Sequence, residues 1–352
     1  MVFDVLSSKE YAKFVDGSKY GNFMQSYERS LLRNKMGYVT HLIGVKRKGK
    51  VVAAGLLVEN HHEAWLQNGP ILDWEDSQLV AFFLTNLLKY CRAHHVLEVE
   101  VYPPVLLSIR NEHGGIEQKF DQTNLFQIFS QIGFKHMGFT EKLDFKALRW
   151  MFVKNLGNLQ TMRDVELSFN ASTRKKYHQT ERNLDIYILQ DKIELEGWLR
   201  PLQESNARNN IKTRSLKYFE DLWDCFGSKA TFVEARLKET GETVSSELDI
   251  WHPNESVAFL AGTTERLKKY NGITAIKGWQ LAECLKRGQK RANFYGIDGI
   301  FSGNNNLLNA KSGFHGEIEE YIGGFKCVIN PTRYYVSRIT DKVRNRIKAW
   351  QK

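Results

Sequence analysis

The sequence has little of what marks membrane, secreted or metal-dependent proteins. Its 352 residues include only six prolines and four cysteines. No run approaches the roughly 18 uncharged apolar residues of a membrane-spanning helix. The first residues, MVFDVLSSKEYAKF, lack the basic start and apolar stretch of a signal peptide. We therefore expect a cytoplasmic protein.

The cysteines also lack the spacing that binds metals. They are scattered along the chain without a CxxC pair or a nearby Cys/His set, at Cys91, Cys225, Cys284 and Cys327. The adjacent histidines at 61–62 and 94–95 have no carboxylate at ligand spacing. A cytosolic location keeps thiols reduced. We expect no structural disulfide, no bound metal and no cofactor.

What the sequence does have is length, apolar residues and positive charge. Apolar residues make up 42% of the chain, enough for a large core, and the length suggests two domains. Lysine and arginine number 50 against 40 acidic residues, which gives a formal charge of +10. This charge favours anionic partners such as RNA, phosphates or an anionic membrane surface.

An internal repeat is visible in the order of the predicted elements. A hairpin over residues 42–58 turns at Lys48 and Gly49, and a second over residues 231–251 turns at Thr240 and Gly241, 192 positions later. A short strand follows each hairpin, at 63–67 and at 256–261. A helix and another apolar strand come next, at 96–102 and at 292–298. The order strand, helix, strand predicts a parallel pair in each copy.

Both copies close with a short helix, which ends at Gly133 or Gly313. The offset falls there to 180 because the first copy has extra residues around 109–121. The repeated unit resembles the GNAT acetyltransferase fold, whose central strands separate to admit an acyl donor. We predict an α/β (α+β) protein of two tandem GNAT-like acyltransferase domains, with mixed sheets and flanking helices. The expected bounds are 1–147 plus 318–352 for the first domain and 148–317 for the second.

Two further helices fit this plan. One covers residues 7–15 and begins with the capping-box pattern Ser7-Ser8-Lys9-Glu10. The other, near the C-terminus, has Ile339, Val343 and Ile347 on one face. Its other face is basic and would either contact RNA or anionic lipid or be solvated. These basic residues are Arg338, Lys342, Arg344, Arg346 and Lys348.

Several local sequences resemble the Fem family of peptidoglycan aminoacyltransferases. The best are ARNNIKTRSLKYFEDL and LLNAKSGF, and weaker agreement comes from NGPILD, FYGIDGI and TRKKYHQTERN. Many relatives carry a long coiled-coil arm, but residues 236–255 contain no heptad run. The chain therefore resembles the short, armless type.

The resemblance implies a function. It predicts a monomeric enzyme, cytoplasmic or at the inner membrane face, that moves an amino acid from aminoacyl-tRNA, its co-substrate. The acceptor would be the side-chain amine of a peptidoglycan precursor stem peptide, either UDP-MurNAc-pentapeptide or its lipid-linked form. The first domain would bind the precursor, and the second would face the tRNA and carry the catalytic lysine.

The resemblance also assigns site residues. Lys311 occupies the position of the catalytic-site lysine, and Arg214 and Tyr218 that of a substrate-binding pair. Alternatively, Lys311 is a surface lysine, Arg214 forms a structural ion pair, and Tyr218 is a half-buried core tyrosine. In the first domain, Arg33 or Lys35 would contact the nucleotide diphosphate, with Arg33 fitting the spacing better.

Tyr102, at the end of a predicted parallel strand, would line the acceptor cleft unless it only packs in the core. A basic stretch interleaved with aromatic residues would bind RNA or form a solvated charge run. Its cations are Arg174, Lys175, Lys176 and Arg182.

The sequence departs from the family pattern at three positions. Tyr102 replaces the aspartate of an Asp-Pro pair, Leu260 replaces an aromatic residue, and Ala310 replaces a bulky residue before the lysine. Two rival functions remain open. An acetyl-CoA-dependent N-acetyltransferase would normally carry a glycine-rich pyrophosphate motif, which neither copy has. The alternative of a non-enzymatic RNA-binding protein is supported mainly by the net positive charge.

Overall fold

The computed structural model describes residues 1–302, 305–334 and 336. Its strands are β1 (Val2–Val5), β2 (Val39–Arg47), β3 (Lys50–Asn60), β4 (Glu63–Gln67), β5 (Ile71–Leu72), β6 (Glu98–Tyr102), β7 (Leu106–Asn111), β8 (Ile116–Lys119), β9 (Lys135–His136), β10 (Trp150–Asn155), β11 (Leu184–Ile188), β12 (Ala230–Leu237), β13 (Thr243–His252), β14 (Glu255–Thr263), β15 (Arg291–Gly296), β16 (Glu317–Tyr321) and β17 (Phe325–Val328).

The helices lie between these strands. They are α1 (Ser8–Gly17), α2 (Tyr27–Lys35), α3 (Ser77–Ala93), α4 (Thr123–Ile132), α5 (Met162–Ser168), α6 (Ala171–Asn183), α7 (Leu195–Arg208), α8 (Leu216–Phe226), α9 (Gly272–Lys286) and α10 (Asn306–Ser312). Short 3-10 turns occupy Phe23–Gln25, Lys192–Glu194, Gly227–Lys229 and Glu265–Tyr270.

The strands form two mixed sheets. The first has the order β1-β2-β3-β4-β6-β17-β9, with β5 beside β3. The second has the order β11-β12-β13-β14-β15-β10-β16-β7-β8. Among the described strands, only β4 with β6 and β14 with β15 pair in parallel. These are the two crossovers that the repeat predicts, through α3 and α9, so the predicted fold class is confirmed.

Other local predictions also hold. Both hairpins form, as β2–β3 and β12–β13. Gly133, with a φ of 104°, caps α4, and Gly313 caps α10. At the start of α1, the Ser7 side chain and the Glu10 side chain complete the expected capping box. In the glycine caps and the capping box, residues close in sequence satisfy the free backbone groups of a helix end.

The sheets exchange strands between the two halves of the chain. The hairpin β7–β8, formed by the extra residues of the first copy, extends the second sheet through β16. Conversely, β17 near the end of the described chain pairs with β6 and β9 in the first sheet. The domain bounds given above remain a prediction, and residues 106–119 and 318–321 belong to a different sheet from the rest of the proposed first domain.

Each crossover helix covers one face of its sheet. The apolar side of α3 packs on the first sheet through Val80, Phe83, Leu84 and Leu87, which are fully buried. Helix α9 covers the second sheet with Ile276, Leu281 and Cys284. Helices α7 and α8 pack around Trp198 and Phe219 on its other face. Burial of these faces fixes where the ends of the parallel strands lie.

Some predictions meet the limits of the described chain. The basic C-terminal helix predicted around 338–348 lies outside the described residues. Within the described chain, none of the helices combines the length and hydrophobicity needed to cross a bilayer. The longest of them, α3, has 17 residues. The five residues between β12 and β13 form a tight turn, so no arm projects from that hairpin.

Candidate active site

The parallel pair of the second sheet separates before its strands end. Pairing between β14 and β15 is limited to Ser256 with Ala292 and Val257 with Asn293. By contrast, β4 and β6 stay paired over five residues, as far as Gln67 with Tyr102. Parallel strands that diverge leave backbone groups and side chains facing a gap at their carboxyl ends. The second copy, unlike the first, therefore offers an open cleft.

Two β-bulges turn aromatic side chains toward this gap. The register of β13 with β14 shifts at Phe259, and that of β10 with β15 shifts across residues 294–295. Tyr295 has a φ of 69°, and its amide donates a hydrogen bond of 2.8 Å to the Asn293 side-chain oxygen. A tyrosine in the left-handed region is strained, and such residues and bulges concentrate at functional sites.

A cavity of about 780 Å³ lies where these strands meet α2 and α8. We call it the arginine cavity. Its lining includes Arg29, Arg33 and Lys35 from α2, Arg214 and Tyr218 at the start of α8, and Phe259, Leu260 and Tyr295 from the second sheet. Four of the predicted substrate-binding residues are thus brought together. They come from both halves of the chain.

Arg214 is exposed at the cavity and forms no ion pair with any described residue. Its guanidinium carbon lies 4.5 Å from the centre of the Tyr218 ring. Tyr218 is 7% exposed, and its hydroxyl has no hydrogen-bond partner in the described chain. A buried hydroxyl without a partner is unfavourable. Both side chains are therefore available to a ligand that accepts hydrogen bonds.

Arg33 reaches the same cavity from α2. Its guanidinium donates a 3.3 Å hydrogen bond to the Gln67 side chain and lies over the Tyr38 ring. Burial, reinforced by the neighbouring Arg29, lowers the pKa of Arg33 to about 10. The side chain still carries its charge at neutral pH. It faces a cavity with few anionic groups to balance it.

Lys35 has acidic partners of its own. Its amine lies 3.2 Å from Asp221 and 3.7 Å from Asp224, both on α8. The Asp221 hydrogen bond raises the pKa of Lys35. Of the two candidates in this helix, Arg33 is therefore the one whose charge remains available to a ligand.

Lys311 lies beside the gap between the parallel strands. From α10 its amine donates hydrogen bonds to the backbone carbonyls of Tyr295 at 3.2 Å and Gly296 at 2.8 Å. The residue is half-buried, and desolvation of the amine, with a smaller effect of Lys277, lowers the pKa of Lys311 to about 7. Both protonation states are then populated near neutral pH, as proton transfer in catalysis requires.

A buried ion pair supports this region. Lys277 of α9 donates a 2.7 Å hydrogen bond to Glu247 of β13, and both side chains are nearly inaccessible to solvent. Lys277 also bonds Gln280. The pair holds α9 against the sheet next to Lys311. Breaking a buried pair by removing one partner is strongly destabilising, so these residues are structural supports of the site.

The structure does not bring Tyr102 to the arginine cavity. Its side chain is 5% exposed and packs in the core of the first sheet. Its hydroxyl donates a 2.6 Å hydrogen bond to Glu100. Burial and this carboxylate raise the pKa of Tyr102. The side chain that was expected to line the acceptor cleft is thus occupied by internal contacts.

The predicted RNA-binding cations lie on α6. Lys175, Lys176 and Arg182 are exposed and Arg174 is half-buried, and none forms an ion pair with a described residue. Arg174, Lys175 and Arg182 line a shallow surface depression. The helix starts beside α10, because the Asn170 amide donates to the Gly313 carbonyl at 2.9 Å. A cationic surface therefore extends outward from α10.

Sequence reasoning missed two cavity residues, Arg29 and Tyr295. Arg29 precedes Arg33 by four positions on α2, so helical spacing alone places both on one face. This spacing could have identified Arg29 as a further candidate from the sequence. The exposure of the Tyr295 carbonyl to Lys311 depends on the bulge in β15, which no local pattern predicts.

No metal site is evident in the described chain, where no group of three or more His, Cys, Asp or Glu side chains could hold an ion. The four cysteines are free, three of them buried.

Comparison with solved structures gives the class of the protein. The crystal structure of FemX superposes with a TM-score of 0.80 at 15% sequence identity, covering 96% of this chain and 99% of that one. A tandem GNAT protein from the clavulanic acid biosynthesis pathway matches with a TM-score of 0.56 at 10% identity, covering 94% and 99%. The fold is thus that of the tandem GNAT-like proteins.

Sequence comparison is more specific. The FemAB family model matches residues 6–239 and 234–342. Aminoacyltransferase FemB of Staphylococcus epidermidis is 27% identical over 427 aligned residues, covering 99% of this chain and all of that protein. Aminoacyltransferase FemA of Staphylococcus aureus is 26% identical over 419, with the same coverage. The chain belongs to the FemAB family, and it is an aminoacyltransferase.

Proposed function

We propose that this aminoacyltransferase moves an amino acid from aminoacyl-tRNA to the side-chain amine of a peptidoglycan precursor stem peptide, building an interpeptide bridge of the cell wall. The acceptor is UDP-MurNAc-pentapeptide or its lipid-linked form. The observation that carries the proposal is the arginine cavity, whose lining residue Tyr295 accepts a hydrogen bond from Lys311 through its backbone carbonyl. The enzyme would act as a monomer in the cytoplasm or at the inner face of the membrane.

The charges of the cavity suit an acceptor that carries a diphosphate. The guanidinium of Arg214 can donate two parallel hydrogen bonds to phosphate oxygens, and the Tyr218 hydroxyl can donate a third. Arg33, on α2, adds positive charge to the same cavity. Charge-assisted hydrogen bonds of this kind contribute about 1.5 to 3 kcal/mol each. These residues would anchor the acceptor and leave its stem peptide free to reach Lys311.

The reaction itself needs little beyond alignment, because an aminoacyl ester is already activated. The acceptor amine attacks the ester carbonyl, a C–N bond forms, the C–O bond breaks, and the ribose oxygen leaves. The amine loses a proton, and the ribose oxygen gains one. A free lysine-type amine must first be neutral, which costs roughly 4 to 5 kcal/mol at neutral pH.

Lys311 is the group we assign to the leaving oxygen. In its ammonium form it would stabilise the charge that develops on that oxygen and donate a proton to it. The lowered pKa, about 7, matches this role because the proton is held weakly enough to transfer. The carbonyls of Tyr295 and Gly296 would hold the amine in place.

The donor would approach along α6. The cations of α6 extend from the start of this helix, next to Gly313. tRNA phosphates bound there would direct the aminoacylated end of the tRNA toward Lys311. Phosphate contacts of this kind position a nucleic acid without reading its sequence. This arrangement supports RNA binding by Arg174, Lys175 and Arg182.

The function is tested by incubating the purified protein with a mixed pool of charged tRNAs and UDP-MurNAc-pentapeptide, followed by mass spectrometry. We expect precursor whose mass has increased by an aminoacyl residue, and no such product when the tRNA ester is hydrolysed beforehand. A parallel reaction contains acetyl-CoA in place of charged tRNA. Acetylated product there, with no aminoacyl product, would instead support the acetyltransferase. Binding of RNA without either product would support the RNA-binding protein.

A further inference from the structure

Arg29 is a buried cation without a partner. It lies in the first turn of α2, is 4% exposed and lines the arginine cavity. Its Nε is buried and has no hydrogen-bond partner, and the side chain forms no ion pair with any described residue. Its guanidinium carbon lies 5.9 Å from the centre of the Phe259 ring.

Nothing about this position favours an arginine for stability. A buried guanidinium that lacks a carboxylate carries an uncompensated desolvation cost. A cation in the first turn of a helix also faces the positive end of the helix dipole. The cation–π contact with Phe259 offsets only part of this cost. An arginine kept under these conditions is more simply explained by a ligand than by the fold.

The surroundings of Arg29 indicate the charge of that ligand. Arg33 lies one turn further along α2, and Arg214 comes from the segment before α8. One carboxylate, Asp221, also lines the cavity, but Lys35 and Lys217 hold it at 3.2 and 2.8 Å. The unpartnered Tyr218 hydroxyl provides a further donor. The cavity therefore presents an excess of positive charge and of hydrogen-bond donors.

We propose that Arg29 binds an oxyanion of the acceptor substrate with its guanidinium, as a substrate-binding residue additional to Arg214 and Arg33. The inference rests on the proposed function for the identity of the acceptor. The oxyanion is either a phosphate oxygen or a carboxylate of the acceptor, since both accept the same charge-assisted hydrogen bonds. Arg29 would then select for acceptors with an anionic group deep in the cavity, beside Phe259 and Tyr295.

Isothermal titration calorimetry on Arg29→Met tests the role. The probes are inorganic diphosphate, UDP-GlcNAc, which has phosphates but no carboxylate, and UDP-MurNAc-pentapeptide. We expect the Kd of the pentapeptide to rise about 10- to 100-fold. The melting temperature should be unchanged or higher, because an unpaired buried charge has been removed. Arg163→Met, which changes an exposed arginine of α5 outside the arginine cavity, is the matched control and should bind all three probes like the wild type.

The pattern across the probes identifies the oxyanion. An equal loss with all three assigns Arg29 to the phosphates, and a loss confined to the pentapeptide assigns it to a carboxylate. Arg29→Lys, which keeps the charge without the planar guanidinium, should recover only part of the affinity. Wild-type affinity of Arg29→Met for every probe overturns the inference. So does a large fall in its melting temperature combined with unchanged affinity of the folded fraction, which would make Arg29 a structural residue.

Failure of the proposed function would look different. If the wild-type protein transfers no aminoacyl group yet binds diphosphate, and Arg29→Met loses that binding, the oxyanion site stands while the acceptor must be another phosphorylated compound. If the wild type transfers an amino acid and Arg29→Met binds and reacts equally well, the function stands and the inference fails.

Discussion

The amine of Lys311 lies 3.2 Å from the backbone carbonyl oxygen of Tyr295, whose ring lines the arginine cavity. One residue therefore connects the arginine cavity to the lysine at the separated strands. The left-handed conformation of Tyr295 at the bulge in β15 produces this arrangement. Under the proposed function, the cavity arginines would bind the acceptor and the lysine would carry out the chemistry.

Replacement of Arg214 should affect binding more than chemistry. Arg214→Ala removes a ground-state contact with the acceptor, so its KM should rise about 10- to 100-fold with a smaller change in kcat. Arg214→Lys keeps the charge without the planar guanidinium, so its KM should lie between those of the wild type and Arg214→Ala. Steady-state kinetics with varied precursor measure this. An unchanged KM in Arg214→Ala would rule out the contact.

Replacement of Tyr102 should affect stability more than activity. In Tyr102→Phe the hydrogen bond to Glu100 is lost, and the free energy of unfolding should fall by about 0.5 to 1.5 kcal/mol. Because the ring stays in the core, kcat and KM should remain near wild type. Urea denaturation and transfer assays provide the two measurements. A large rise in KM without loss of stability would instead indicate that Tyr102 lines the acceptor cleft.

The lowered pKa of Lys311 predicts a pH-dependent effect on stability. The folded-state pKa is about 7, and the unfolded value is about 10.4, so the unfolded chain binds more protons between these pH values. The contribution of Lys311 to stability therefore rises with pH across this window. Lys311→Met should melt above the wild type at pH 7, and the difference should shrink toward pH 10.

The matched control for this titration is Lys286→Met, which removes an exposed lysine paired with Glu283 on α9. Its difference from the wild type should vary little between pH 7 and 9. If Lys311→Met and Lys286→Met gave parallel curves, the amine of Lys311 would not be desolvated in the folded protein.

The cations of α6 should contribute to RNA affinity through phosphate contacts. A triple variant, Arg174→Ala with Lys175→Ala and Arg182→Ala, should weaken tRNA binding. It should also reduce the slope of log affinity against log salt by about 2 to 3. The control changes Lys9, Lys13 and Lys50, which are exposed on the first sheet and α1. Equal slopes for the two triple variants would make α6 an ordinary solvated helix.

Local patterns predicted much of this fold. The turns at Lys48–Gly49 and Thr240–Gly241, the glycine caps and the apolar face of α3 depend on residues close in sequence, and they form as expected. The addition of β7–β8 to the second sheet was not predicted, whereas the expected first domain, with residues 318–352, already includes β17. Strand pairing of this kind joins residues more than 200 positions apart, and periodicity within one strand does not name its partner.

The candidate site was predicted in part for the same reason. Arg214, Tyr218 and Arg33 were singled out by family resemblance, and the cavity unites them. Lys35 was singled out as well, but its acidic partner Asp221 lies 186 positions away and could not be seen from the sequence. Separation of the strands in only one copy arises from bulges at Phe259 and Tyr295, which depend on tertiary packing.

The most direct test of the account is the single-turnover rate of aminoacyl transfer by Lys311→Ala, measured with enzyme and acceptor both saturating. Under these conditions binding differences no longer contribute, so the rate reports the chemical step. We predict a fall of about 100- to 1000-fold relative to the wild type, as for loss of a group that stabilises transition-state charge. A wild-type rate in Lys311→Ala would contradict the assignment of the chemistry to this lysine.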